Sequence, residues 1–284
     1  MIPQDAASAA RGAYATGVEW IAKDAIRLGM GYLERAIAMF EELGDRTALT
    51  RARHQRLLGF LRGGRDEAVE SACDEVMAGY LRLGDIYGQA LLLSHLAESV
   101  ARQGRWERAM VHLNLADALA QAGSQGLLQR YVLYRQARLY LERDNVALAA
   151  RLLKLAEASA AEEGRPEEVA RLRAVAGAAL ARLGERSEAV VLLEDAQRSH
   201  VHAGRFREAV EALTTLAEVY EATGQAEELT RVQELKHFCG QKVIRGRDER
   251  RLRSGWEPPV DPPPLEVFPQ TGPDGEAPQV PAPR

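Results

Sequence analysis

Apolar residues recur at spacings of three and four along most of the chain, as in Leu92, Leu93, Leu96, Ala97 and Val100, which marks one face of a helix. No run of β-branched residues alternates with period two over five or more positions, so no strand is predicted. The periodic segments are interrupted at regular intervals. Gly64, Gly104, Gly184 and Gly224 follow one another at multiples of 40, with Asp144 in the vacant place. Gly44, Gly84, Gly164 and Gly204 keep the same period with an offset of 20, and Gly123 falls one residue short of its slot. Glycine just past a helix supplies the left-handed conformation that closes its C-terminus.

The segments between breaks are rich in Ala, Leu, Glu and Arg, the strong helix formers. Ten of the 12 prolines lie beyond residue 256; Pro166 stands just inside a helix start, where its missing N–H costs nothing. The pattern predicts helices over 46–62, 65–82, 86–103, 105–122, 126–143, 145–163, 166–183, 185–203, 206–223 and 225–241. Upstream, 30–43 fits a second-helix slot, and 5–28 reads as one longer, less regular helix containing Gly12 and Gly17. Short turns make successive helices antiparallel neighbours, and each pair leaves an apolar face for the next pair to cover. The fold class is an all-α solenoid.

Within each 40-residue unit, small and large apolar residues hold fixed offsets from the turn. Around Gly104 the set is Ala97, Val100, Trp106, Ala109, Leu113 and Ala116; around Asp144 it is Ala137, Tyr140, Val146, Ala149, Leu153 and Ala156. Gly177, Leu180, Ala189, Leu193 and Ala196 repeat it around Gly184, and Ala217, Tyr220 and Ala226 around Gly224. Over residues 30–241 this resembles the tetratricopeptide repeat (TPR), and the period of 40 is similar to the subclass found in kinesin light chains, the adaptor LGN, maltose-type activators and Rap-type peptide sensors. The inter-unit pieces LGDRTALTRA and LGDIYGQALL are similar to that subclass as well. The resemblance implies a right-handed superhelix of about five to six helix pairs. HEAT and armadillo repeats share the period and are the structural rival; the register of Gly with Ala argues against them.

Composition narrows the function. The 284 residues carry 37 basic and 41 acidic side chains, a net charge of −4 that gives no general attraction to nucleic acid or acidic lipid. Arginine outnumbers lysine 33 to 4, which points to a GC-rich, bacterial genome. Cys73 and Cys239 lie too far apart for a metal knuckle and read as buried thiols of a reducing, cytoplasmic setting. No apolar run is long enough for a membrane span, and the N-terminus lacks the pattern of a secretory signal. Phosphate-loop, HExxH and GxSxG motifs are absent, so the chain reads as a non-enzyme without cofactor or metal. His200 and His202 point in different directions on a helix, unlike a zinc-binding pair.

The resemblance implies that the first helix of each pair lines a concave groove. By register, that groove carries Arg51, His54 and Gln55, then Ser94, His95, Glu98 and Arg102, then Tyr131, Tyr134, Arg135 and Arg138, then Arg171. Glu211, Thr214, Thr215, Glu218 and Glu221 make its far end acidic. His54 and His95 are expected on one surface about 10 Å apart, roughly the spacing of packed helices. The paired Asn and Lys of chaperone-tail clamps have no counterparts here. Trp106, just past its turn glycine, reads as a core wedge. The organisation expected is a helix or cap over 1–29, repeats over 30–241, a basic capping segment over 242–256 and a Pro-rich, disordered tail over 257–284, in which Leu265, Val267 and Phe268 could form a docking motif. The function expected is a scaffold or adaptor for a protein or peptide with acidic residues. Its rival is a ligand- or peptide-sensing regulatory module that acts through a partner chain. Nucleic-acid binding through 242–253 is the weakest reading, and oligomeric state is left open.

Overall fold

A computed structural model describes residues 4–253, with side chains from 5 to 245. The tail 257–284, with its candidate motif, lies outside the described residues. Among the described residues there are twelve helices and no strand. They are α1 (Gln4–Ala22), α2 (Ile26–Leu43), α3 (Arg46–Arg62), α4 (Asp66–Leu83), α5 (Ile86–Arg102), α6 (Trp106–Ala122), α7 (Gly126–Glu142), α8 (Val146–Glu162), α9 (Pro166–Leu183), α10 (Arg186–His202), α11 (Phe206–Thr223) and α12 (Ala226–Arg253).

A left-handed residue closes every helix from α1 to α11, and the closures fall 20 residues apart from 24 to 224. Eight are glycines; Asp24, Ser124 and Asp144 fill the other places with φ of 63°, 51° and 58°. Each turn has the same two hydrogen bonds. The left-handed residue donates to the carbonyl three positions back and the next residue to the carbonyl five back, as in Gly84 to Leu81 and Asp85 to Tyr80. Asp24 corrects the expectation of one helix over 5–28. The break there creates the hairpin α1/α2 in register with the other five, and an Asp gives no glycine signal although it tolerates this conformation. The Gly123 irregularity has the same cause, because Ser124 is the left-handed residue.

Each even-numbered helix from α2 to α10 buries one stripe, and its residues repeat at intervals of 40. Leu33, Cys73, Leu113, Leu153 and Leu193 form one column, and Ala36, Val76, Ala116, Ala156 and Ala196 another. Gly17 and Gly177, one on each of two odd-numbered helices, lie against Leu33 and Leu193, where a methyl group would sit 2.9 and 2.7 Å from the Leu Cγ. From α3 onward the odd-numbered helices are covered at least as fully as their even-numbered partners, and α5 is buried on nearly all sides. They also meet one another, α1 on α3, α3 on α5, α5 on α7 and α9 on α11, while the even-numbered helices stand further apart. The odd helices therefore form the inner row of the solenoid. Trp106 packs against the core of the N-terminal half, with the Arg143 guanidinium 5.7 Å from its ring centre. Both cysteines are free and buried.

Arginines tie one hairpin to the next. Arg62 donates to the carbonyl of Ile21 at 3.1 Å, and Arg102 to that of Leu61 at 2.8 Å; each reaches back 41 residues. The link holds the ends of successive inner helices together.

Candidate binding surface

Four positions on each inner helix, at spacings i, i+3, i+4 and i+7, share one face. On α3 they are Arg51, His54, Gln55 and Leu58, and the same places recur every 40 residues to Glu211, Thr214, Thr215 and Glu218 on α11. This face is not uniformly open. His54, Gln55, Ser94 and His95 are buried, and Tyr131, Tyr134 and Arg135 are half-buried. Arg138, Arg171, Glu211 and Glu218 are exposed.

The two histidines depart most from expectation. They do not share a surface; they touch inside the protein, with His54 Nε2 and His95 Nδ1 3.0 Å apart. His54 Nδ1 lies 2.7 Å from the Tyr80 hydroxyl, which α4 contributes. The offset of 41 residues, one more than the repeat, turns His95 toward His54. Burial pushes the pKa of His54 down to about 3 and that of His95 well below the ordinary value, where the cost of charging it beside His54 and near Arg135 and Arg62 adds to the effect. Both rings are therefore neutral at pH 7. A neutral imidazole has one donor and one acceptor. If Tyr80 donates to His54 Nδ1, then His54 donates to His95 and the last proton rests on His95 Nε2, which is buried without a partner. The reverse order leaves a bare lone pair there.

The chain of contacts continues through Tyr131, whose ring centre is 6.4 Å from that of His95. Arg135 donates to the Tyr131 hydroxyl at 2.7 and 2.9 Å and pairs with Glu98 at 2.5 Å. Two residues expected to face a ligand thus neutralise each other. Arg102 is similarly committed, to Leu61 and to Asp66 at 2.5 Å, because it stands at the helix end rather than on the inner face. Arg51 lies close enough to Tyr80 for its charge to act on the hydroxyl. What remains open is Arg138, with no partner among the described residues, and Arg171, whose guanidinium stands 5.9 Å from the Tyr134 ring centre. Beyond them the acidic end begins. Partial desolvation by its surroundings, then the neighbouring Glu208, raises the pKa of Glu211.

Sequence reasoning missed Arg130. It stands in a column otherwise held by Ala10, Thr50, Ala90, Ala170 and Val210, yet only 1% of it is exposed. Its guanidinium pairs with Glu163 at 2.6 Å and Glu168 at 3.1 Å and donates to Ser159 Oγ at 3.2 Å. A methyl group at Gly126 would sit 2.3 Å from a Glu163 carboxylate oxygen, so the glutamate would have to shift there. The departure from its column was the available signal. Among the described residues no group of three His, Cys, Asp or Glu could hold a metal, and no helix is long and apolar enough to cross a membrane.

No family model and no curated protein matches the sequence. Solved structures do match in fold. BtubC from P. vanneervenii is 16% identical over 84% of this chain and 96% of that one, with a TM-score of 0.66. A signal-transduction ATPase with a tetratricopeptide repeat sensor, from Pyrococcus horikoshii, gives a TM-score of 0.70 at 12% identity over 88% of this chain and 39% of that one. A Rap protein complexed with competence and sporulation factor gives 0.59 at 11% identity, over 81% and 75% of the two chains.

Proposed function

We propose that this TPR-type repeat protein is a non-enzymatic scaffold or adaptor, and that a peptide or protein segment with acidic residues lies along the inner faces of α7, α9 and α11. One observation carries the reading. Glu98 and Arg135 are consumed by each other, while Arg138 is exposed with no partner among the described residues and Arg171 sits over Tyr134 on the neighbouring inner helix. Arginine forks suit carboxylates, and a tyrosine supplies rigid contact area. The glutamates of α11 favour the opposite charge at the other end of the segment. The Rap protein solved with a bound factor supports such use of the fold. A regulatory role through a partner chain is the second reading, favoured by the sensor repeats of the Pyrococcus ATPase.

The test is titration of the full-length protein with short acidic, neutral and basic peptides. Acidic peptides are expected to bind, and Arg138→Glu/Arg171→Glu to weaken them several-fold or more while the helical spectrum is unchanged. Equal binding by the double variant removes this face from the account.

A further inference from the structure

Between consecutive hairpins the even-numbered helices leave a seam, floored by the odd helix between them. The centre of each seam is one column: Arg53, Leu93, Leu133, Arg173 and Leu213. Where the column holds arginine, the guanidinium joins the two flanking helices. Arg53 pairs with Glu41 on α2 and, at 3.0 Å, with Glu75 on α4. Arg173 pairs with Glu157 on α8 at 2.9 Å and with Asp195 on α10 at 3.2 Å.

At the seam of α6, α7 and α8 the column holds Leu133, and a cavity of about 350 Å³ opens there. Asp117 lines it from the column that supplies Glu157 to Arg173. One Asp117 oxygen accepts from Gln121 at 2.7 Å; the other, Oδ1, is buried and has no hydrogen-bond partner. Leaving such an atom unmet is costly. Arg130 also borders the cavity, but its guanidinium already faces Glu163 and Glu168. The two other leucine seams differ. Met77 replaces Asp117 in one; in the other Gln197 replaces it beside a smaller cavity of about 190 Å³, where Glu194 and Glu228 share the lining with Arg231. A seam carboxylate that lacks an internal cation therefore occurs, among the described residues, between α6 and α8.

We propose that this seam binds an alkylguanidinium group, which takes the place that Arg53 and Arg173 fill in neighbouring seams and pairs with Asp117. Leu133, Leu152 and the exposed Leu155 flank the aliphatic stem, and the Gln136 amide, which donates to Asn114 at 3.0 Å, keeps its oxygen for a second N–H. The volume lies at the small end of ligand sites. Leu133 and Gln136 face away from Tyr131, Tyr134 and Arg138 on α7, so this site stands apart from the inner face.

Calorimetric titration of the full-length protein with agmatine tests it. Saturable one-to-one binding is expected, weakened about tenfold or more in Asp117→Asn, which keeps the Gln121 hydrogen bond. Leu133→Arg, which supplies the missing guanidinium from within, is expected to abolish binding and leave the helical spectrum unchanged. A capped Gly-Arg-Gly peptide in parallel distinguishes the source: tighter binding than agmatine assigns the group to an arginine of a partner, weaker binding to a free small molecule. The proposal is overturned by no saturable binding of either probe, by unchanged affinity in Asp117→Asn, or by equal binding of hexanoate.

Discussion

Gly88 on α5 lies against the ring of Tyr80 so closely that a methyl group on residue 88 would overlap ring carbons Cδ1 and Cε1. The ring is fixed by this contact and by the 2.7 Å approach of its hydroxyl to His54. The Gly88 N–H is used as well, donating to Asp85 at 2.7 Å to cap the helix. Gly88→Ala is therefore expected to cost about 1–3 kcal/mol, the usual range for overpacking. Denaturant melts check it, and an unchanged midpoint would show that Tyr80 moves freely.

The buried histidine pair makes stability depend on pH. Both folded-state pKa values lie below those of the unfolded chain, so the unfolded state takes up protons first as pH falls. The contribution is complete above about pH 6.5 and is lost at about 1.4 kcal/mol per pH unit per histidine below it, down to the folded-state values. Burial also lowers His112 and His200, which add to the slope. The carboxyl pKa values of Glu70 and Glu163 are lowered too, first by hydrogen bonds from Arg105 and Arg130, so those groups act only at more acid pH. Denaturant midpoints between pH 7 and 5 should fall steeply in the wild type and less steeply in His54→Gln/His95→Gln. An equal slope in the two proteins would mean that the pair titrates normally.

Ser124 carries a left-handed backbone without the freedom of glycine. Ser124→Gly should stabilise by about 0.5–1 kcal/mol, whereas Gly104→Ala at the preceding turn should destabilise by about 1–2 kcal/mol. Asp144→Gly should gain less than Ser124→Gly, because it gives up the 2.7 Å pair with Arg182. Thermal unfolding of the three variants provides the ranking.

Arg135 and Arg138, neighbours on one helix face, should respond differently to charge reversal. Arg135→Glu places a second acidic group beside Glu98 and removes two donors to Tyr131, so a loss of about 1–3 kcal/mol is expected. Arg138→Glu, at an exposed position, should stay within about 0.5 kcal/mol. Paired chemical denaturation curves decide it, and similar losses would place Arg138 inside the internal network.

Much of this architecture is legible because glycine marks most turns and the apolar columns repeat. Helix limits over 46–223 fall within a residue or so of the pattern, since capping and periodicity are local properties. The Asp24 break is not legible in the same way, because a left-handed aspartate looks like any surface acid until the 20-residue spacing is extended to it. The inner face shows the deeper limit. Register correctly assigns His54, His95, Arg135 and Glu98 to inner helices. It does not reveal that Tyr80 arrives from α4 to meet His54, or that Glu98 and Arg135 meet each other, because those contacts depend on how closely α3, α5 and α7 approach.

The reach of 41 residues from Arg62 to Ile21 and from Arg102 to Leu61 bears on how such a chain can change in length. Excising residues 62–101 moves Arg102 into the sequence place of Arg62, opposite the carbonyl of Ile21, so the surviving hairpins meet through a joint of the same kind. Duplicating a 40-residue piece creates another copy of that joint. Pieces cut at other lengths bring unlike columns together. The solenoid can thus lose or gain material in whole units while each remaining contact finds a familiar counterpart.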